Sequence, residues 1–426
     1  MTAWNLPGFI LLALLTLALG GIFANSRRNP FPTRLLLAAL LLRIVGATVR
    51  FDMIRLFYGG LADAQRYFRY GLDMAEMVWS FDPRVFSFGF WFGGVRWWGT
   101  SFMEKTAGVV VSMVGPSMRA SYLVYSLLSF TGLYLIALAV HRHRPGPGAV
   151  RFAAWIWLWP SLWFWPSSIG KESLTVLAIG LAFYGYAGRD QRTRWLPFAA
   201  GVGLAFALRP HVGAVLGLAT MTAFWLRSWK KPGPRRIVEG VLAAVVALFM
   251  LSSMAAQFGL DSADLEGVQE FVTYRTTQTL EGGSSIGSSP HGVAALPMAF
   301  VNIWLRPFPW DVHNVMALFS ALEVMLLWAL ALQRRQVVWF TLRHWRRDRL
   351  LAWGLPFLAG YTLMIGLTFA NLGIIARQRS PLFPFVFLLL TGAGAFASAR
   401  LPQRQAAKNR PAAQRPAVAA AVARRR

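Results

Sequence analysis

The sequence predicts an all-α, polytopic integral membrane protein with about eleven transmembrane helices, and three observations carry that prediction. Hydrophobic residues make up 56% of the chain and charged residues only 14%, whereas a soluble domain carries about 25% charged residues. Apolar runs recur that approach or exceed the roughly 20 residues needed to cross a bilayer. The formal net charge of +26 is concentrated in short loops between those runs, as the positive-inside rule describes. Charge so distributed sets topology and attracts anionic membrane lipids. With no nucleic-acid-binding module beside it, it does not point to nucleic acid. Cysteine is absent, which excludes disulfides, thiolate nucleophiles and iron–sulfur sites.

The expected spans follow in order. Span one covers 4–25; it lacks a basic leading region and is read as a retained span rather than a cleaved signal. SRRNPFPTR leads to span two at 34–50, and a long external section, 51–118, follows. Within it the run AGVVVSMVG (107–115) is too short to cross and reads as a re-entrant or surface piece. Span three is 119–140, and spans four and five are 151–167 and 171–188, joined by PSSIGKES. Spans six and seven, 195–209 and 211–227, meet at Arg209–Pro210–His211, and span eight is 237–257. A second external section, 258–313, contains the glycine- and serine-rich patch 281–290, read as a flexible gate for an acceptor. Span nine is 314–333, the basic segment 334–349 leads to span ten at 350–370, and span eleven is 381–399. Residues 1–400 thus form a transmembrane domain, and 401–426 a basic, disordered tail. The basic loops and the tail fall on the cytoplasmic side. The two long sections, PSSIGKES, the Arg209–His211 turn and the turn 371–380 share the outside.

Candidate chemistry gathers on that outer face. Leu61–Gly71 sets Asp63, Arg66, Tyr67 and Tyr70 within two helical turns. Tyr67, Tyr70, Met74, Met77 and Phe81 recur at helical spacing, which describes an amphipathic helix lying on the membrane surface. Asp63 suits a helix N-cap, and equally a general base that accepts a proton from an attacking sugar hydroxyl, with His211 assisting. Lys171, Glu172, Arg209, Arg275, Arg306, Asp311, Arg377 and Arg379 interrupt otherwise apolar external turns or lie in the second external section. Positive charge at the outer end of a span opposes the positive-inside rule. Ion pairing with Glu172 or Asp63 accounts for it, and so does a set of cations converging on a phosphate. Glu323 inside span nine reads as a proton carrier or as a hydrogen-bonded structural group. His141 and His143 sit in a basic loop without carboxylates, so no metal site is expected there.

The pattern D-A-x-x-Y at Asp63–Tyr67 in the first long external loop, and the arginine-containing element ARQRSPLFPF at 376–385, resemble the polytopic GT-C glycosyltransferases. PSSIGKES and ALRPHVG are similar to bacterial polysaccharide-synthesis membrane proteins. The resemblance implies a bacterial cytoplasmic-membrane enzyme with an external active site, using a polyprenyl-phosphate-linked sugar donor and a glycan or lipid acceptor. It implies Asp63 as the catalytic carboxylate of the first loop, and Arg377 and Arg379 as holders of the lipid phosphate. Asp63 is followed by Ala64 rather than a second acid, so a metal-independent reaction without cofactor is expected, a divalent cation remaining open. A polymerase or ligase of the O-antigen type, using diphosphate-linked glycans with external Arg and His groups, is the alternative; a lipid-linked-substrate transporter is a more distant one.

Overall fold

The computed structural model describes residues 5–57, 63–94, 97–188, 192–228, 241, 295–369 and 371–392. Among them the architecture is helical throughout, without strands. In chain order the helices are α1 (Asn5–Ala24), α2 (Thr33–Phe57), α3 (Asp63–Trp79), α4 (Phe88–Phe92), α5 (Thr100–Val114) and α6 (Met118–His143). Then come α7 (Pro147–Leu158), α8 (Pro160–Phe164), α9 (Lys171–Ala187), α10 (Trp195–Leu208) and α11 (Pro210–Ser228). The last group is α12 (Ala295–Trp304), α13 (Val315–Gln333), α14 (Arg335–His344), α15 (Arg349–Thr368), α16 (Leu372–Arg379) and α17 (Phe383–Thr391). Among the described residues five stretches are long and apolar enough to cross a membrane: α1, α6, α13, α15 and the near-continuous Leu372–Thr391. Leu11, Leu14, Leu19 and Ile22 of α1, and Phe319, Leu322, Met325 and Leu326 of α13, are exposed. So much apolar surface is stable only against lipid or another apolar partner.

Helices inside lipid gain little from apolar burial and associate by close backbone approach at small residues. The α6–α9 contact is of that kind. A Cβ on Gly132 would strike the Val176 carbonyl, and one on Gly180 would strike the Gly132 carbonyl. On the far side of α9, Gly201 of α10 meets Ala178 and Ala182 in the same way. α6, α9 and α10 therefore form a tight central layer. It fixes where the N-terminus of α9 and the C-terminus of α10 emerge.

Three local expectations are corrected. The run 107–115 belongs to α5, which begins at Thr100. The helix extends because α3 supplies a partner: Gly71 lies against Ala107, and Gly108 against Met74. The buried face of α3 (Ala64, Tyr67, Phe68, Gly71, Met74 and Ala75) is accordingly centred on small residues, and Phe81 is 83% exposed. Span four is interrupted, since α7 ends at Leu158 and Pro160 opens α8. The turn 371–380 is α16. Asn371 starts it, its Oδ1 accepting from Gly373 N at 2.9 Å and Ile374 N at 3.2 Å. Span eight, Arg275, the 281–290 patch and the 401–426 tail lie outside the described residues.

Two fully buried arginines, Arg43 and Arg379, repair helix ends that proline leaves open. In a continuing helix the Leu162 carbonyl would accept from residue 166, but that residue is Pro166, which has no N–H. Arg43 Nη1 donates to the Leu162 carbonyl instead, at 2.6 Å. The Ile303 carbonyl at the end of α12 faces the same lack at Pro307. Arg379 Nη1 donates to it at 2.9 Å and to the Arg306 carbonyl at 3.1 Å. Arg379 Nη2 donates to Ser320 Oγ at 3.0 Å.

Candidate functional site

A cavity of about 360 Å³ opens where α2, α3, α9, α10, α11, α15 and α16 converge. The α9 end of it is built from the chain inward. Gly170 precedes α9 in an extended conformation, and Ser173 Oγ donates to the Gly170 carbonyl at 2.7 Å. That turn sets Lys171 and Glu172 in the first turn of α9. A Cβ on Gly170 would lie 3.0 Å from Glu172 Oε2, so glycine makes room for the carboxylate.

Glu172 is buried and draws in two arginines from other elements. Arg209 follows α10, and Pro210 begins α11, so the guanidinium is held at a rigid junction. Its Nη2 donates to Glu172 Oε1 at 2.8 Å, and its Nη1 to Gln378 Oε1 at 2.7 Å. Arg377 Nε lies 3.1 Å from the same Glu172 oxygen. The Tyr361 hydroxyl donates to Gln378 Oε1 at 3.4 Å. Lys171 Nζ donates to Thr100 Oγ1 at 3.1 Å.

The opposite wall comes from α2 and α3. Asp63 is exposed at the start of α3 and lines the cavity, as do Ala64 and Tyr67 one turn on. Burial pushes the Tyr67 phenol up to about 12, and the nearby Asp63 and Glu172 carboxylates push in the same direction. At neutral pH the phenol is therefore a hydrogen-bond donor. His211, in the first turn of α11, also faces the space. Four cations (Arg50, Lys171, Arg209, Arg377) and two carboxylates (Asp63, Glu172) share a lining with Ile54, Ile169, Leu208, Met364 and Phe369. The balance is cationic, with an exposed carboxylate and an apolar wall.

Of the residues singled out in the sequence, Asp63, Tyr67, Lys171, Glu172, Arg209, His211 and Arg377 are brought together there. Arg66, Arg306 and Arg379 are not among the lining residues. Arg66 points away to the surface, where Nε meets Glu104 at 2.9 Å and the side chain is 70% exposed. Arg306 closes on Asp311 with two donors, each at 2.9 Å. That fork holds the Asp311 carboxyl below the usual carboxylate range. Arg379 is the buried pin at the end of α12. Glu323 accepts from Ser161 N at 2.8 Å and from the Ser161 hydroxyl, which ties α13 to α8. His143 Nε2 lies 3.3 Å from Asp348 Oδ2 at the start of α15. Among the described residues there is no group of three or more histidines and carboxylates that would hold a metal.

Arg50 and Gln378 line the cavity and were not singled out in the sequence. Arg50 stands at the end of an apolar run, much as Arg209 does, but it coincides with the boundary of span two. Gln378 carries no charge and gives no signal beyond its place between Arg377 and Arg379. Comparison with known proteins finds no matching family model, no matching curated protein and no matching solved structure.

Proposed function

We propose that the protein is a membrane glycosyltransferase that takes a sugar from a polyprenyl-phosphate-linked donor on the outer face of the cytoplasmic membrane. A single observation carries this reading: an exposed carboxylate, Asp63, shares one cavity with Lys171, Arg209 and Arg377 and with an apolar wall. The acceptor hydroxyl attacks the anomeric carbon as its proton passes to Asp63. The bond from that carbon to the phosphate oxygen breaks, and the lipid phosphate leaves with the electron pair. Lys171 and Arg377 stabilise the negative charge that grows on the leaving phosphate. Tyr67 donates a hydrogen bond to sugar or phosphate, and His211 assists in orienting the acceptor. Arg209 is held by Glu172 and Gln378 and keeps Glu172 ionised beside Arg377. The acceptor is a glycan or lipid of the cell envelope, and no metal is required.

The test is sugar transfer by purified protein in lipid, with labelled polyprenyl-phosphate and polyprenyl-diphosphate donors, with and without chelator. Transfer that survives chelation and is lost in Asp63→Asn and Arg377→Ala is the expected result. Transfer undiminished in Asp63→Asn removes the base. A product that lengthens on a diphosphate carrier moves the assignment to a polymerase.

A further inference from the structure

At the end of the bundle away from the cavity, we infer that Arg151 and Arg334 bind the phosphate of an anionic phospholipid in the leaflet beside them. The place follows from the connectivity. α9 begins at the cavity with Lys171, and the Tyr184 hydroxyl near its far end accepts from Arg142 in the last turn of α6. α7 starts soon after α6, at Pro147, so Arg151 near its start belongs to that far end. Arg334 follows the last turn of α13, and its guanidinium carbon lies 5.1 Å from the ring centre of Trp155, one turn along α7 from Arg151. Trp155 packs edge-on against Phe387 of α17, with ring centres 5.4 Å apart, which fixes the platform. Partial burial lowers the pKa of Arg334, and the nearby Arg151 charge lowers it further. The two guanidinium groups are thus close enough to repel one another.

The chain supplies little negative charge to answer this pair. Its sequence has no acidic residue between Glu104 and Glu172, and only Asp348 after Glu323. Asp348 is buried at the start of α15, where it accepts from Leu350 N at 2.9 Å and lies 3.3 Å from His143 and 3.7 Å from Arg144. Among the described residues neither Arg151 nor Arg334 has a carboxylate at ion-pair distance, and Arg334 Nη1 reaches the Leu390 carbonyl only at 3.5 Å. Adjacent like charges cost free energy that a bound anion removes, and guanidinium forks match phosphate oxygens. The surroundings decide which anion. Leu158, on the α7 face that carries Arg151 and Trp155, is exposed, as are Leu332 beside Arg334 and Trp339 on α14. α14 also carries Arg335 and Arg343. A short helix with tryptophan and arginine, set directly after a spanning helix, lies in the headgroup layer. Basic pockets between spanning helices take lipid head groups in this way. A phosphate with acyl chains uses both the arginines and the apolar surface; a soluble phosphate uses only the first.

The experiment is photo-crosslinking of the full-length protein in mixed micelles of detergent and phosphatidylcholine. The probe is phosphatidylglycerol with a diazirine at its head group, against phosphatidylcholine carrying the same group, and labelled peptides are mapped by mass spectrometry. Wild type, Arg334→Gln, Arg151→Gln, their double variant and Arg84→Gln are compared, the last altering an exposed arginine paired with Asp82. The phosphatidylglycerol probe is expected to label the start of α7 and the α13–α14 junction well above the phosphatidylcholine probe. Each single substitution should raise the probe concentration for half-maximal labelling there about fivefold, and the double variant about 25-fold. Arg84→Gln should match wild type. Unlabelled phosphatidylglycerol displaces the probe, and glycerol phosphate at the same concentration does not. Equal labelling of these segments by both probes overturns the site, as does undiminished labelling in the folded double variant. If Arg334→Gln does not fold, undiminished labelling in Arg151→Gln, at an exposed side chain, overturns it equally. Glycerol phosphate that competes as well as phosphatidylglycerol overturns the lipid assignment.

Discussion

Arg43 and Arg379 on one side, and Arg209 and Arg377 on the other, are arginines set among apolar helices, yet they have different partners. Arg43 and Arg379 are wholly buried and donate to helix carbonyls that proline leaves without an N–H. Arg209 and Arg377 converge on a single carboxylate, Glu172, at the wall of a cavity. A carbonyl accepts from a guanidinium without bringing a full countercharge, and the first pair pins helix ends inside tight packing. A carboxylate shared by two cations leaves positive charge over beside an open space, and the proposed function assigns that charge to an anionic ligand. The partner, rather than burial itself, separates the two kinds.

The cavity side of this contrast is probed most severely at Asp63. Asp63→Asn removes the proposed proton acceptor, and sugar transfer is expected to fall by about 10²–10⁴-fold while prenyl-phosphate binding is retained. Glu172→Gln comes next. It leaves Arg209 buried beside an uncharged partner, and such a break costs about 3–5 kcal/mol. Denaturant unfolding in micelles measures it, and the double variant Glu172→Gln/Arg209→Gln should recover part of the loss. No recovery would mean that the pair is not coupled.

The pin side is tested at Arg43. Arg43→Met leaves the Leu162 carbonyl unsatisfied, at a cost of about 1–3 kcal/mol. In a Pro166→Ala background residue 166 regains an N–H, and the same substitution should cost about 1 kcal/mol less. Strict additivity would refute the proline explanation. A smaller, pH-dependent effect belongs to Tyr67. Its phenol ionises near 10 when unfolded and at about 12 in the cavity. The folded state therefore holds the proton more tightly, and stability declines as pH rises through that window. After allowance for solvent screening the decline is about 1 kcal/mol, and Tyr67→Phe should abolish it. Least affected is Arg66→Gln. Its exposed pair with Glu104 is worth less than about 1 kcal/mol, and transfer should match wild type; a large loss would extend the site to the outer face of α3.

The helical class was legible because apolar runs and basic loops are local properties of composition. Seven of the cavity residues were legible for a related reason: Lys171, Glu172, Arg209, His211 and Arg377 are polar interruptions at the ends of apolar runs, and Asp63 and Tyr67 open an amphipathic helix. What separates Arg377 from Arg379 was not legible. The two are alternate residues on one short helix, and only α12 and Pro307 give Arg379 its partner. Arg50 was missed because its partners, Phe164 and Trp165, are distant in sequence.

The sequence by itself determined a helical membrane protein and marked where charge interrupts its apolar stretches, since both follow from the cost of placing polar groups in lipid. Tertiary structure alone decided which interruptions meet. Close approach of α6, α9 and α10 at Gly132, Gly180 and Gly201 brings Glu172 to Arg209, and the turn of α16 brings Arg377 to both. Whether a buried arginine is a pin or part of a site depends on the atom opposite it, and long-range packing chooses that atom.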